Sequence, residues 1–200
     1  MPGRLIEWGV AARALPGETV SGDLHLVRPL DGGVLLAVVD GLGHGGEAAA
    51  AAQTAVGVLD QHAEQPLGPL VLRCHTALMR TRGVVMTVAS VRPAEERLTW
   101  LGIGNVEAAL LRAETGGSER VLLRGGLVGY QLPEVRASMT TIAPGDLLVF
   151  ATDGIGAGFL DGLMQNDPPQ QIADRILDRH FKGRDDALVL VARYLGGHHE

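Results

Sequence analysis

The sequence predicts an α+β fold of mostly antiparallel sheets covered by helices. Three observations point there: short apolar segments cluster in blocks, helical patterns cluster apart from them, and strict strand–helix alternation is missing. The first strands are predicted at 5–11, 23–27 and 34–39, the last an unbroken apolar run. A helix over 47–62 follows, and Pro66 and Pro69 mark a break. A second helix over 69–80 takes its apolar positions from Leu70, Leu72, Cys74, Ala77 and Leu78. Strands resume at 84–91, 97–101, 106–111 and 121–123, with Gly116-Gly117 and Gly125-Gly126 as turns. Another strand is predicted at 146–151. Asp167 then reads as the cap of a helix opened by Pro168 and Pro169 and running to His180, and a final strand covers 187–194. No linker and no solenoid repeat interrupts the chain, so residues 1–195 are expected to form a single domain and 196–200 a flexible tail.

Two hundred residues are enough to bury a full core without metal or disulfide staples. The net charge of −6 offers no basic stripe, which argues against nucleic acid and anionic membranes as partners. The first residues carry no signal-peptide core, and no apolar run reaches transmembrane length. The single cysteine, Cys74, makes no internal disulfide, so the expected compartment is the cytoplasm.

Chemistry is concentrated in one pattern that occurs twice, an apolar run followed by Asp-Gly: Val34 to Val39 then Asp40-Gly41, and Leu147 to Thr152 then Asp153-Gly154. Each reads as a buried strand delivering a carboxylate at its exit, with a glycine freeing the backbone for a sharp turn. Asp185-Asp186 stands just before another apolar run. Acids at the ends of core strands are costly unless a cation neutralises them, and together these suggest a divalent metal centre of oxygen ligands. The plain alternative is that Asp-Gly forms turns. Two copies, joined by Asp185-Asp186 and Ser21-Gly22-Asp23, make coincidence the poorer explanation.

Two other motifs match by letter alone. Gly41-Leu42-Gly43-His44-Gly45-Gly46 has the spacing of a dinucleotide fingerprint, but a further helix, not a second parallel strand, is predicted after the first helix. Cys74 and Arg80 have the spacing of cysteine-dependent phosphatases, but the segment lacks glycine and reads as an amphipathic helix. Among the histidines, His44 stands out because it lies in the glycine loop four residues after Asp40. It is a candidate for a role near the site, the alternative being a hydrogen bond that shapes the loop.

Ser21-Gly22-Asp23, Asp40-Gly41-Leu42-Gly43-His44-Gly45, Thr152-Asp153-Gly154 and Asp185-Asp186-Ala187 occur in the order of metal-dependent protein phosphatases of the 2C class, which the chain resembles from about 21 to 193. The Gly-His-Gly loop and closing Asp-Asp resemble the sporulation-stage-II-E-like branch. The stretches 102–107 and 124–133 resemble the small single-domain phosphatases that reset the bacterial stressosome; read without the resemblance, they are glycine-rich turns between strands.

The resemblance implies a four-layer α-β-β-α sandwich of two mostly antiparallel sheets flanked by helices, with two Mn²⁺ or Mg²⁺ ions at one end. By position Asp40 would bridge both ions, the Gly41 carbonyl would bind one, Asp153 and Asp185 would complete the other, and Asp23 would support the first. Asp186 matches a variable position and ranks below Asp185. Hard oxygen ligands suit Mg²⁺ or Mn²⁺ better than zinc. The implied activity is hydrolysis of phosphoserine or phosphothreonine by metal-activated water. The implied substrates are phosphorylated STAS-domain scaffold or antagonist proteins of a stress pathway under negative feedback. A non-catalytic partner-binding module of the same fold is the alternative, with a dinucleotide enzyme using 41–46 behind it. Two departures stand out. Leu42 occupies the place of a histidine proposed as general acid in eukaryotic members, and no clear counterpart of a phosphate-binding arginine exists, with Arg13, Lys182 and Arg184 as possible substitutes.

Overall fold

The computed structural model describes residues 5–197; 1–4 and 198–200, most of the tail expected at 196–200, lie outside the described residues. Its strands are β1 (Ile6–Arg13), β2 (Asp23–Leu30), β3 (Gly33–Gly41), β4 (Val84–Arg92), β5 (Arg97–Ile103), β6 (Glu107–Leu111), β7 (Ser118–Arg120), β8 (Leu123–Arg124), β9 (Ser138–Thr141), β10 (Leu147–Ala151) and β11 (Ala187–Tyr194). The helices are α1 (Gly46–Gln61), α2 (Leu67–Leu78) and α3 (Pro169–His180). One sheet runs β1-β11-β10-β6-β7; the other runs β2-β3-β4-β5-β8, with β9 also on β5. Every strand pairing is antiparallel except the short β5–β8 contact.

The alternation of side chains along β3 builds the layers. Val34, Leu36 and Val38 face a central core shared with Leu148, Phe150, Leu188 and Leu190 of the other sheet. Leu35, Ala37 and Val39 point the opposite way, into a core closed by α1 and α2 through Ala52, Ala55, Leu70 and Cys74. On the far side, Val149, Val189 and Val191 pack beneath Ile172, Ala173 and Ile176 of α3. The order is helices, sheet, sheet, helix: the expected four-layer α-β-β-α sandwich. A strand covered on both faces has no solvent side to make polar, which is why β3 reads as a continuous apolar run.

Three local expectations are corrected. Of the strand predicted over 121–123, only Leu123 lies in a strand, because here the chain changes sheets: β7 pairs with β6, and β8 pairs with β5. Between them Val121 crosses the sandwich, donating its N–H to the Ala108 carbonyl at 3.0 Å. Asp167 does not cap α3. Pro168 holds the cap position, and the Asp167 carboxylate instead accepts a hydrogen bond from Arg175 Nη2 at 2.7 Å. The second helix starts at Leu67, with Pro69 in its first turn, where a missing N–H costs nothing. At the end of the described residues, Gly197 N–H donates to the Tyr194 hydroxyl at 3.2 Å.

Candidate metal centre

Antiparallel pairing gathers the predicted acids at one end of both sheets. Asp40 is the penultimate residue of β3 and Asp23 begins β2, and the two face each other directly in the ladder. Asp153 follows the exit of β10, and Asp185 and Asp186 precede the start of the neighbouring β11.

The glycines of the Asp-Gly pairs act differently from the sequence expectation. Neither Gly41 nor Gly154 has a positive φ. Each is required by close approach: a Cβ on Gly41 would lie 2.2 Å from the Ala48 carbonyl oxygen, and one on Gly154 would lie 1.9 Å from the Asp186 carbonyl oxygen. The first contact seats α1 against the exit of β3, and the second holds the β10 exit against the β11 entry. The true turns lie further on, at Gly43 (φ 87°) and Gly45 (φ 76°), where the chain enters α1.

The acids differ sharply in their partners. Asp23 is 4 % exposed, and its Oδ2 accepts the Thr152 hydroxyl at 2.7 Å. That hydroxyl in turn accepts the Leu188 N–H at 2.8 Å, so Thr152 ties the two sheets together at the site. Asp186, 3 % exposed, has both oxygens engaged by backbone: Oδ1 accepts Leu15 N–H at 2.7 Å and Oδ2 accepts Gly22 N–H at 2.6 Å. Its carboxylate clamps both ends of the β1–β2 connection. Asp153 Oδ2 accepts the Asn105 amide at 2.8 Å.

A cleft of about 280 Å³ opens here, lined by Asp40, Asp153 and Asp185 together with Leu42, Gly43, Val85, Gly104, Asn105 and Gly125. Asp23 sits beneath it beside Asp40, and Asp186 lies outside the lining. Burial, reinforced by the surrounding carboxylates with Asp23 first among them, pushes the Asp40 carboxyl up to about 9. Asp23 is pushed up to about 7 by burial, against the lowering effect of the Thr152 hydroxyl, with Asp186 and Asp153 adding to the rise. Asp185 is raised too, mainly by burial. Carboxylates buried together at one cleft are costly to ionise unless a cation neutralises them.

Among the described residues no three His, Cys, Asp or Glu side chains converge closely enough to enclose one ion alone. Mg²⁺-like ions keep several waters and take one or two carboxylates each, so acids spread around an open cleft fit them. A closed zinc cage would need convergent cysteine or histidine.

His44 does not line the cleft; its Nδ1 lies 2.7 Å from Glu18 Oε1, pinning the β1–β2 connection to the loop before α1. Leu42, 51 % exposed, lines the cleft. Of the candidate phosphate-binding cations, Arg13 pairs with Asp178 and lies over the Phe181 ring at 5.1 Å, while Lys182 Nζ donates to the Asp153 carbonyl at 2.7 Å. Thr152 and Asn105 were missed as site residues: a threonine before Asp153 and an asparagine in a glycine-rich turn carry no chemical signature alone. The letter-only motifs dissolve. Cys74 is buried in α2, which pushes its thiol up to about 12. The 41–46 loop leads from a strand with antiparallel neighbours into α1 and then α2, without a parallel crossover.

Comparison with known proteins agrees with this architecture. Residues 30–195 match the family described as Stage II sporulation protein E (SpoIIE). Phosphoserine phosphatase RsbX of Bacillus subtilis (strain 168) is 21% identical over 175 residues, covering 88% of this chain and 87% of RsbX. A solved chain of the bacterial stressosome, described as a modular system adapted to control secondary messenger signaling, superimposes with a TM-score of 0.87 at 29% identity, covering 95% of this chain and all (100%) of that one. RsbX in complex with magnesium gives a TM-score of 0.86 at 19% identity, covering 97% of this chain and 98% of that one. The catalytic domain of the serine/threonine phosphatase PstP with two manganese ions gives 0.74 at 19%, covering 95% and 98%. Among the described residues no helix is long and apolar enough to cross a membrane. With the family's match spanning most of the chain, over a sandwich whose acids meet at one end, the chain belongs to the Stage II sporulation protein E (SpoIIE) family.

Proposed function

We propose that the chain hydrolyses phosphoserine and phosphothreonine on STAS-domain scaffold or antagonist proteins of a stress-signalling pathway. It would act in the cytoplasm as a negative-feedback regulator that depends on two Mn²⁺ or Mg²⁺ ions. The observation that carries the catalytic reading is the direct opposition of Asp23 and Asp40, with Asp153 and Asp185 on the same cleft. Asp40, the Gly41 carbonyl, Asp23, Asp153 and Asp185 would hold the ions, with Asp186 fixing the loop that carries Gly22. When bound, such a pair of ions lowers the pKa of a shared water and offsets charge on the phosphoryl oxygens.

The protein's own groups supply position. Thr152 spends its proton on Asp23 and so keeps that carboxylate oriented as an acceptor. His44, held by Glu18, shapes the loop beside the cleft rather than serving the leaving group. Leu42 has no proton to give, so the leaving alkoxide takes one from water in the open cleft. Support for the substrate class comes from the relatives: RsbX is a phosphoserine phosphatase, and a structural neighbour was solved in a description of the bacterial stressosome.

The test is phosphate release from a phosphoserine peptide and from a phosphorylated STAS-domain protein, with Mn²⁺ and with chelator. Metal-dependent release, faster on the STAS protein, is expected. Absence of metal-dependent turnover on either would favour a partner-binding module.

A further inference from the structure

Asn105 sits at the point where the chain leaves one sheet for the other, between β5 and β6, and three contacts make that point rigid. Gly104 N–H donates to the Arg124 carbonyl at 2.9 Å. Gly104 itself has φ 87°, and a Cβ there would lie 2.1 Å from Val85 Cγ1. On the other side of Asn105, the fully buried Thr87 hydroxyl donates to the Val106 carbonyl at 2.5 Å. From this fixed turn the amide reaches across the cleft to Asp153 Oδ2 at 2.8 Å. An ionised carboxylate only accepts, so the group facing it must be the NH₂, which fixes the orientation of the amide.

We propose that Asn105 is a positioning residue of the metal centre: its amide holds one oxygen of Asp153 and thereby aims the other at the ion. This rests on Asp153 being a metal ligand, as proposed above. Asp153 needs such a partner because it lies beyond the end of β10, on the exposed side of the site. Lys182 secures only its backbone carbonyl, leaving the carboxylate free to rotate about its side-chain bonds. Neutral amide donation suits the task better than a cation, since it orients the carboxylate without competing for it as a counter-ion. Groups that hydrogen-bond a metal ligand in this way typically contribute about 10–100-fold to metal affinity or activity.

The experiment is calorimetric titration of Mn²⁺ alone, without substrate, into the wild-type chain, Asn105→Leu and Asp153→Asn. Asn105→Leu keeps the volume and removes the donor; Asn105→Ala serves in its place if that variant does not fold. The expected result is Mn²⁺ affinity weakened by about 10–100-fold, with the unfolding midpoint of the chelator-treated protein unchanged. In turnover, kcat should fall at saturating phosphopeptide while KM for the peptide stays close to wild type. Affinity for Mn²⁺ close to wild type in the Asn105 variant, alongside a loss in Asp153→Asn, would overturn the role of Asn105 and leave the metal centre standing. Unchanged affinity in Asp153→Asn as well would overturn the metal assignment of Asp153 itself.

Discussion

Asp23 and Asp40 stand opposite each other across the β2–β3 ladder, two carboxylates paired where a sheet ordinarily places apolar or oppositely charged partners. Like charges directly opposed on neighbouring strands destabilise a sheet, and burial increases the penalty. This buried, opposed pair is the observation on which the proposed metal centre rests.

Asp40→Asn should therefore separate stability from function. Near neutral pH the metal-free fold must keep a proton on the Asp40 carboxyl that the unfolded chain releases, whereas asparagine is neutral without one. The metal-free variant is therefore expected to be more stable than wild type by on the order of 1–3 kcal/mol. Metal-dependent phosphate release should fall by at least about 10³-fold. Urea denaturation in chelator and a phosphate-release assay check the two halves.

The pH dependence of the metal-free chain has a definite sign. The Asp23 and Asp40 carboxyls sit at about 7 and about 9, above the ordinary 3.8, so the folded state retains protons that the unfolded state releases. Their contribution to stability is complete below the unfolded value and is lost as pH rises through about 7 and then about 9. Thermal unfolding in chelator should show a falling midpoint between pH 5 and 9. Saturating Mn²⁺ should offset that fall, because the ions bind the deprotonated ligands.

Thr152→Val removes the hydroxyl that joins Asp23 to the Leu188 N–H and keeps the side chain's shape. It leaves a buried donor unpartnered, at an expected cost of about 1–3 kcal/mol, and frees Asp23 to turn. Chemical denaturation should record the loss of stability, and a Mn²⁺ titration of activity should show a rightward shift.

Gly154→Ala would drive a Cβ into the Asp186 carbonyl, whereas Gly46→Ala meets nothing within 4 Å. The first is expected to cost about 3 kcal/mol or more, or to prevent folding. The second should be neutral or slightly stabilising, since alanine is the better helix former at the start of α1. Unfolding midpoints of the two variants make the comparison.

The layers and most of the acids were legible because they depend on local pattern. β3 and β10 announce themselves as apolar runs, and Asp40 and Asp153 follow them directly in the sequence. What stayed hidden depends on partners far away in the chain. Asp185 and Asp186 are adjacent in sequence, yet only the fold shows Asp186 turned to the Leu15 and Gly22 amides while Asp185 lines the cleft. Thr152 matters through Asp23, 129 residues distant in sequence, and Asn105 through Asp153, 48 residues distant. The break between β7 and β8 was hidden for the same reason: adjacent residues pair with strands of different sheets. Asp167 was misread because capping competes with side-chain pairing, and Arg175, two turns into α3, wins that competition.

The most direct test of the central claim is the number of Mn²⁺ ions bound per chain, measured by calorimetry or equilibrium dialysis on the wild type and on Asp40→Asn. Two ions are expected in the wild type, with loss of tight binding at both positions in Asp40→Asn. Two ions retained with unchanged affinity in Asp40→Asn, or no specific Mn²⁺ binding by the folded wild type, would contradict it.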